Sequence, residues 1–352
     1  MQVLLMVLLF LTLAFSAGGE PVSPSGEVPP EAASLYRVHR RGGEFFNPWG
    51  EMEGKAWDFI RWKVFDWSPY EKWRKPELPV VENDGSYLSL PDQPPSITWI
   101  GHASFAVQDG ADVFLTDPHF SKRALLPARW NPPGIPLESV PGDAFAVISH
   151  NHYDHLDAET VDRLPASMTW FVPLGLGEWI RDRGRKAVEL DWWESAQLGA
   201  WTITCLPSQH WSSRIGQAPN TTLWCAFLMD NGKRRYFHAG DTGYFHGFRE
   251  YGRRFGPIDV AMLPIGAYAP RFMMRYQHMD PEEALKAYLD LDAQLFYPMH
   301  YGTFDLTDEP LDLPPKELMQ AVERRGVDPE KIRLLPVGGR DIIGRDSSRR
   351  LR

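Results

Sequence analysis

From residue 96 to residue 340 the chain is a succession of short apolar, β-prone runs separated by loops of Gly, Pro, Asp and His. Ile97–Ile100, Ser104–Val107, Val113–Thr116, Ala144–Ile148, Thr169–Val172 and Val188–Leu190 read as strands. So do Trp201–Leu206, Leu223–Met229, Arg235–Phe237, Val260–Pro264, Leu295–Pro298 and Ile332–Val337. Asp109-Gly110 marks a turn, and Asp230-Asn231-Gly232 joins two of the runs. A longer period is found only at Ala158–Leu164, Gly175–Arg183, Pro281–Leu291 and Lys316–Arg325. Gly184 stops the second of these helices, and Pro281 with Glu282 and Glu283 starts the third. Strands dominate with helices between them and no solenoid repeat is present. The expected class is therefore α/β, with sheets packed together and helices outside.

Upstream, the pattern changes twice. Val3–Phe15 is an apolar run broken only by Thr12 and followed by Ser16-Ala17-Gly18-Gly19, so residues 1–19 read as a signal peptide or N-terminal anchor. That predicts a secreted, periplasmic or membrane-associated protein. Residues 20–44 read as a linker, richest in Pro, Gly, Ser and Glu over Glu20–Ala33. Residues 45–95 form an aromatic and basic arm. Within it Lys55–Lys75 carries Trp57, Trp62, Trp67 and Trp73 with six basic residues against three acidic ones. Tryptophan interleaved with Lys and Arg suits a lipid interface; packing of the arm on the domain is the alternative. Residues 96–340 are the expected catalytic domain and 341–352 an Arg-rich tail.

Composition narrows the function. The 352 residues can bury a sizeable core, and a net charge of −9 argues against nucleic acid as partner. Cys205 and Cys225 lie in strand-like segments and read as buried free thiols.

The chemistry concentrates at strand ends. Ala144–Ile148 runs straight into Ser149-His150-Asn151-His152-Tyr153-Asp154-His155-Leu156. No ordinary structural need packs three imidazoles and a carboxylate so densely. Trp201–Leu206 leads to His210, Tyr236-Phe237 to His238-Ala239-Gly240-Asp241, Leu295–Pro298 to His300, and Val113–Thr116 to Asp117. Loops leaving one edge of the sheets would bring these groups together. His150, His152 and His210 can hold one metal, Asp154, His155 and His300 a second, and Asp241 can bridge them. Imidazole and carboxylate without thiolate suit two zinc ions, with iron or manganese as competitors. Asp117 is expected to accept an N–H from a ligand histidine and so fix its tautomer. His102, His119 and His246 read as loop or core histidines satisfied by hydrogen bonds. Phe272-Met273-Met274 between Arg271 and Arg275 suits a lipid-facing loop.

H-x-H-x-D-H followed by a lone His, a lone Asp and a late His resembles the metallo-β-lactamase superfamily, which implies an αβ/βα four-layer sandwich. Further blocks resemble its N-acylphosphatidylethanolamine-hydrolysing phospholipase D subfamily: Phe171–Gly175, Glu189–Glu194, Pro207–Trp211, Ala239–Tyr244, Arg254–Pro257, Pro264–Tyr268 and Tyr276–Ala284, with Asn47-Pro48-Trp49 ahead of the domain. The likeness runs from about Phe45 to Val337 in motif order. It implies the same seven ligands, and it implies that Gln277 and His278 lie beside the metals facing a lipid phosphate. His238 and Tyr301 depart from the pattern, where an aromatic residue and a tryptophan are expected. The implied reaction is hydrolysis of a phospholipid phosphodiester, with Asp154 moving the proton. The same site on the same fold can serve a lactone, a thioester or another phosphodiester.

Overall fold

Strands buried on both faces need two different apolar covers, and the alternation along each run shows which side meets which. The structure, a computed structural model, describes residues 28–50, 62, 68–71 and 76–344. In chain order the strands are β1 (Arg40–Arg41), β2 (Glu44–Phe45), β3 (Gln93–Gly101), β4 (Ser104–Gly110), β5 (Asp112–Thr116), β6 (Phe145–Val147), β7 (Thr169–Pro173) and β8 (Lys186–Leu190). They continue with β9 (Ser195–Leu198), β10 (Trp201–Leu206), β11 (Ala226–Asp230), β12 (Arg235–His238), β13 (Ile258–Pro264), β14 (Ala293–Met299) and β15 (Arg340–Ile342). Two mixed sheets result. One is seven-stranded, in the order β15-β3-β4-β5-β6-β7-β8, and the other six-stranded, β14-β13-β12-β11-β10-β9.

Phe105, Val107, Phe114, Phe145, Val147 and Phe171 of the first sheet share one core with Ile203, Phe227, Met229 and Tyr236 of the second. The intervening Ala106, Val113, Leu115, Ala146, Trp170 and Val172 face the other way, onto Leu156, Val161, Leu164, Leu176 and Ile180 around the helices Ala158–Arg163 and Gly177–Arg181. On the outer side of the second sheet the helix Pro281–Asp290 contacts β13 and β14. Asp280 and Glu283 close a reciprocal capping box at its start. Helix, sheet, sheet, helix is the layering expected from the resemblance. Cys205 and Cys225 are buried free thiols inside it.

Several elements differ from the sequence expectation. Ile332–Val337 is not a strand. Pro336 offers no backbone donor, and the run makes only isolated bridges from Ile332 to Phe296 and from Val337 to Val80. The edge strand is β15 instead. The strand expected at Leu223 begins at Ala226, because Leu223 N–H is drawn to the carbonyl of Leu174 (2.8 Å) and Cys225 N–H to that of Ser149 (2.9 Å).

Residues 20–44 are not linker throughout. Pro30–Tyr36 is a 3-10 helix with Ala32 and Leu35 buried. Tyr36 stacks on Trp193 at 4.5 Å, and His39 stacks on Trp192 and bonds Asp191 at 2.8 Å. Pro and Glu give this stretch a flexible composition; the burial of Ala32 and Leu35 and the two ring stacks outweigh it. Of the arm, Trp62 is buried and donates to Asp308 at 2.8 Å. The segment 1–19, most of Lys55–Lys75 and the tail from 345 lie outside the described residues. Among the described residues no helix is long and apolar enough to cross a membrane.

At the end of the sandwich away from the histidine loops, Asp109 joins the sheets. It accepts from Arg234 (3.2 Å), Asn231 (2.9 Å) and Tyr236 (2.9 Å), and the Arg234 and Asp109 side chains are 9% and 8% exposed. Removing one partner of a buried pair leaves the other charge uncompensated. Asp109→Ala is therefore expected to cost about 3–5 kcal/mol in denaturant unfolding, with metal content unchanged in the folded fraction.

Candidate metal centre

The donors come together because the strands end together. Asp117 follows β5, the His150–His155 loop follows β6, His210 follows β10, Asp241 follows β12 and His300 follows β14. Parallel pairing of β5 with β6, and of β12 with β13 and β13 with β14, sends these loops out of the same edge. Tight backbone packing permits the approach. At Gly240, φ is +58° and a Cβ would lie 2.5 Å from the Ser149 Cβ; at Gly243 a Cβ would lie 2.0 Å from the Tyr276 carbonyl oxygen. Asp117, His102 and His300 also adopt positive φ, at +36°, +55° and +62°. Such strain in residues other than glycine persists only where surrounding contacts over-determine it.

Two donor groups form, each with ligand atoms within 4.8 Å of one another: His150, His152, His210 and Asp241, and His102, Asp154, His155 and His300. In the first, His152 Nδ1 faces His150 Nε2 at 2.8 Å and His210 Nε2 at 3.2 Å. Asp241 stands between the groups. Its Oδ2 lies 3.8 Å from His150 and His210 and 3.1 Å from His155, and its Oδ1 lies 3.1 Å from His300. The seven donors expected from the sequence are thus brought together, with Asp241 standing between the two groups.

These residues fit a pair of divalent cations. Asp241 Oδ1, His155 Nε2 and His300 Nε2 are buried without a hydrogen-bond partner, a costly arrangement that cation ligation relieves. Burial holds the His150 and His210 imidazoles well below the usual histidine range and His152 at about 4, so they are neutral, the form that ligates. Burial also opposes charge on His155 and His300, but Asp241 and Asp154 outweigh it. They hold His155 well above that range and His300 up to about 9, so two protonated rings stand where a cation's charge would serve instead.

Asp117 does what was expected of it and more. Fully buried, it accepts from His155 Nδ1 (2.7 Å), the Ser149 amide (2.6 Å), Ser149 Oγ (2.7 Å) and His238 Nε2 (2.9 Å). The bond to His155 Nδ1 leaves Nε2 for the cluster. His238, the departure before Ala239-Gly240-Asp241, is one of these donors, which accounts for a polar ring at that position.

His278 is buried, its Nδ1 is without a partner, and it forms a further donor group with Asp241 and His300. Asp280, not His278, caps the following helix. Gln277 acts otherwise than expected. Its carbonyl accepts from His210 Nδ1 at 3.0 Å, while its side chain reaches the Met274 sulfur at 3.5 Å. Of the histidines read as bystanders, His246 bonds Ser34 at 3.0 Å, but both ring nitrogens of His119 are buried without a hydrogen-bond partner. His102 donates to Asp154 at 2.9 Å, a contact that no local pattern around Gly101-His102-Ala103 announces.

Asn47, which lies ahead of the domain in sequence, reaches back to the site. Its Nδ2 donates to the His210 carbonyl (3.0 Å) and to Tyr276 Oη (2.9 Å), and its Oδ1 accepts from Trp224 (3.0 Å). Trp49 donates to Gln209 at 3.0 Å. A cavity of about 490 Å³ beside Phe120, Ile135 and Arg163 contains none of these donors.

Residues 113–301 match the family profile "Beta-lactamase superfamily domain". The chain is 39% identical over 249 residues to N-acyl-phosphatidylethanolamine-hydrolyzing phospholipase D 1 of Caenorhabditis elegans, covering 64% of this chain and 70% of that protein. It is 36% identical over 262 residues to the mitochondrial N-acyl-phosphatidylethanolamine-hydrolyzing phospholipase D of Saccharomyces cerevisiae, covering 70% of this chain but 54% of that protein. Among solved structures, Igni18, a metallo hydrolase from the archaeon Ignicoccus hospitalis, aligns with a TM-score of 0.53 and 25% identity over 71% of this chain and 98% of that one.

A ligand at a hundredfold excess over its Kd stabilises the state that binds it by about 2.7 kcal/mol per site. Stripping the protein with a chelator should therefore lower its unfolding midpoint, and divalent metal should restore it. Asp241→Ala removes the carboxylate that belongs to the first group and lies 3.1 Å from both His155 and His300 of the second. Its midpoint should not respond to chelator, and elemental analysis should find it nearly metal-free; two retained equivalents would remove Asp241 from the set.

Proposed function

Because the chain belongs to the metallo-β-lactamase superfamily, we propose that it is a metal-dependent phosphodiesterase of phospholipase D type. The substrate is N-acylphosphatidylethanolamine, and the products are an N-acylethanolamine and phosphatidic acid. The observation that carries this reading is the pair of donor groups with Asp241 standing between them, in a chain whose relatives at 39% and 36% identity bear that activity in their names. The metals are zinc, with iron or manganese as competitors, since the set has imidazole and carboxylate donors and no thiolate. When bound they supply Lewis-acid stabilisation of charge on the phosphoryl oxygens and a nucleophile at neutral pH.

The protein's own groups have separate tasks. The bond from phosphorus to the N-acylethanolamine oxygen breaks, one to the oxygen of water forms, and a proton is delivered to the leaving oxygen. Asp154 is suited to move it: its side chain is 14% exposed, against 2% for Asp241 and none for Asp117. His278 lies beside Asp241 and His300 and can donate to a phosphate oxygen. Gln277 serves through its carbonyl, orienting the His210 ring.

A lipid substrate agrees with the rim. Leu126 (77% exposed), Ile215 (77%) and Phe272 (55%) are exposed apolar side chains on the segments following β5, β10 and β13. The Trp-rich, basic Lys55–Lys75 would add attraction to an anionic membrane surface. The proposed location, at a membrane or outside the cytoplasm, rests on the apolar run Val3–Phe15.

Turnover of N-acylphosphatidylethanolamine, a lactone, a thioester and a simple phosphodiester tests the reading directly. The lipid should be cleaved fastest, with N-acylethanolamine and phosphatidic acid in equal amounts by mass spectrometry; good lactone or thioester turnover without lipid cleavage would overturn it. Asp154→Asn, assayed at saturating metal, should lower kcat by about 10²–10⁴. Reversing Lys72, Arg74 and Lys75 to Glu should weaken sedimentation with anionic vesicles at least ~10-fold, at about 1 kcal/mol per basic residue near the surface.

A further inference from the structure

We propose that His102 is a positioning residue that holds two groups of one metal site, Asp154 and His300, at once. It lies in the turn between β3 and β4, ahead of the residues 113–301 that match the family profile. Its side chain is 1% exposed, and Nε2 is 2.9 Å from Asp154 Oδ2. Its carbonyl accepts the His300 amide at 3.2 Å, and its ring lies over that of His300 at 4.1 Å. The turn is strained, with φ at +55°, and is fastened from both sides. The His102 amide donates to Thr303 Oγ1 at 2.7 Å, and the carbonyl also accepts from Trp99 Nε1 at 2.9 Å.

Proton counting makes the contact specific. Asp154 Oδ2 also faces His155 Nε2 at 3.6 Å and His300 Nε2 at 3.4 Å. A histidine that lends Nε2 to a cation carries no proton there, so neither ring can donate to Asp154 once the site is loaded. His102 can. Its Nδ1 is buried without a hydrogen-bond partner, so its single proton is best placed on Nε2, facing the carboxylate. A fixed N–H on one carboxylate oxygen sets the rotation of Asp154 and thereby the direction of its remaining lone pairs. The strain of the turn is what carries the imidazole across to it.

The inference rests on the two-cation reading of the site but not on the substrate, and its test reads metal affinity. The metal-free full-length protein is titrated with Zn²⁺ against a competing chelator dye. The wild type should bind two equivalents; fewer would fail the two-cation reading itself. His102→Asn tolerates the left-handed backbone, but its amide is too short to reach Asp154. It should lose ~10–100-fold in affinity for one equivalent and leave the other unchanged, the loss typical of outer-shell partners. His102→Gln offers an N–H near the position of Nε2 and should stay within a few-fold of wild type. Should the Asn variant not fold, His102→Leu serves as the donor-free variant. Two undisturbed equivalents without the donor, or a Gln variant that falls as far as the donor-free one, would overturn the proposal.

Discussion

One buried carboxylate holds the site in register. Asp117 receives four donors from three residues: Ser149 and His155 on the loop after β6, and His238 on β12 of the opposite sheet. Burial alone would favour the neutral acid. The neighbouring His238 and His155 outweigh it and hold the carboxyl far below the usual range. A charge placed that deep is stable only when its lone pairs are taken. The two sheets are therefore fixed to one another at the ligand end by a set of bonds that cannot be partly made. At the far end Asp109 does the same with Arg234 and Tyr236. Between the two carboxylates the shared core fills the space without directing it.

The strained backbone follows from this constraint. With the strand ends pinned, the ligand side chains reach a common centre only if the chain turns sharply just past each strand. The ligand His300 does so at positive φ, as do Asp117, which orients His155, and His102, which meets Asp154, and Gly240 does so where a Cβ would strike Ser149. Strain here is local and is offset by dense hydrogen bonding around it, as at Thr303 and Trp99.

The catalytic core was legible because its signals are local. Strands announce themselves by short apolar runs, and a loop with His150, His152, Asp154 and His155 has no bland explanation. What escaped depends on residues distant in sequence. His102 sits in an unremarkable hairpin turn, and its partners Asp154 and His300 lie 52 and 198 positions away. Gln277 is expected beside the metals facing a phosphate; that its main-chain carbonyl also meets His210 Nδ1 is set by backbone geometry, of which the sequence carries no sign. Pro30–Tyr36 has the composition of a linker and docks by way of Leu35 and Tyr36, a decision taken by Trp193. Ile332–Val337 has the apolar content of a strand, but Pro336 denies it the ladder.

The edge strand β15 carries a further consequence. It pairs with β3, the first long strand, at Arg340 with Thr98 and Ile342 with Ser96. Nearby, Val81 donates to the carbonyl of Val337 and Gly338 to that of Trp99. The first long strand of the catalytic domain thus takes its outer neighbour from a segment more than 240 positions later in the sequence. Closing the first sheet is therefore a long-range step, its loop-closure cost met only when the two ends of the catalytic domain find each other, and the centre that His300 completes lies inside that closure.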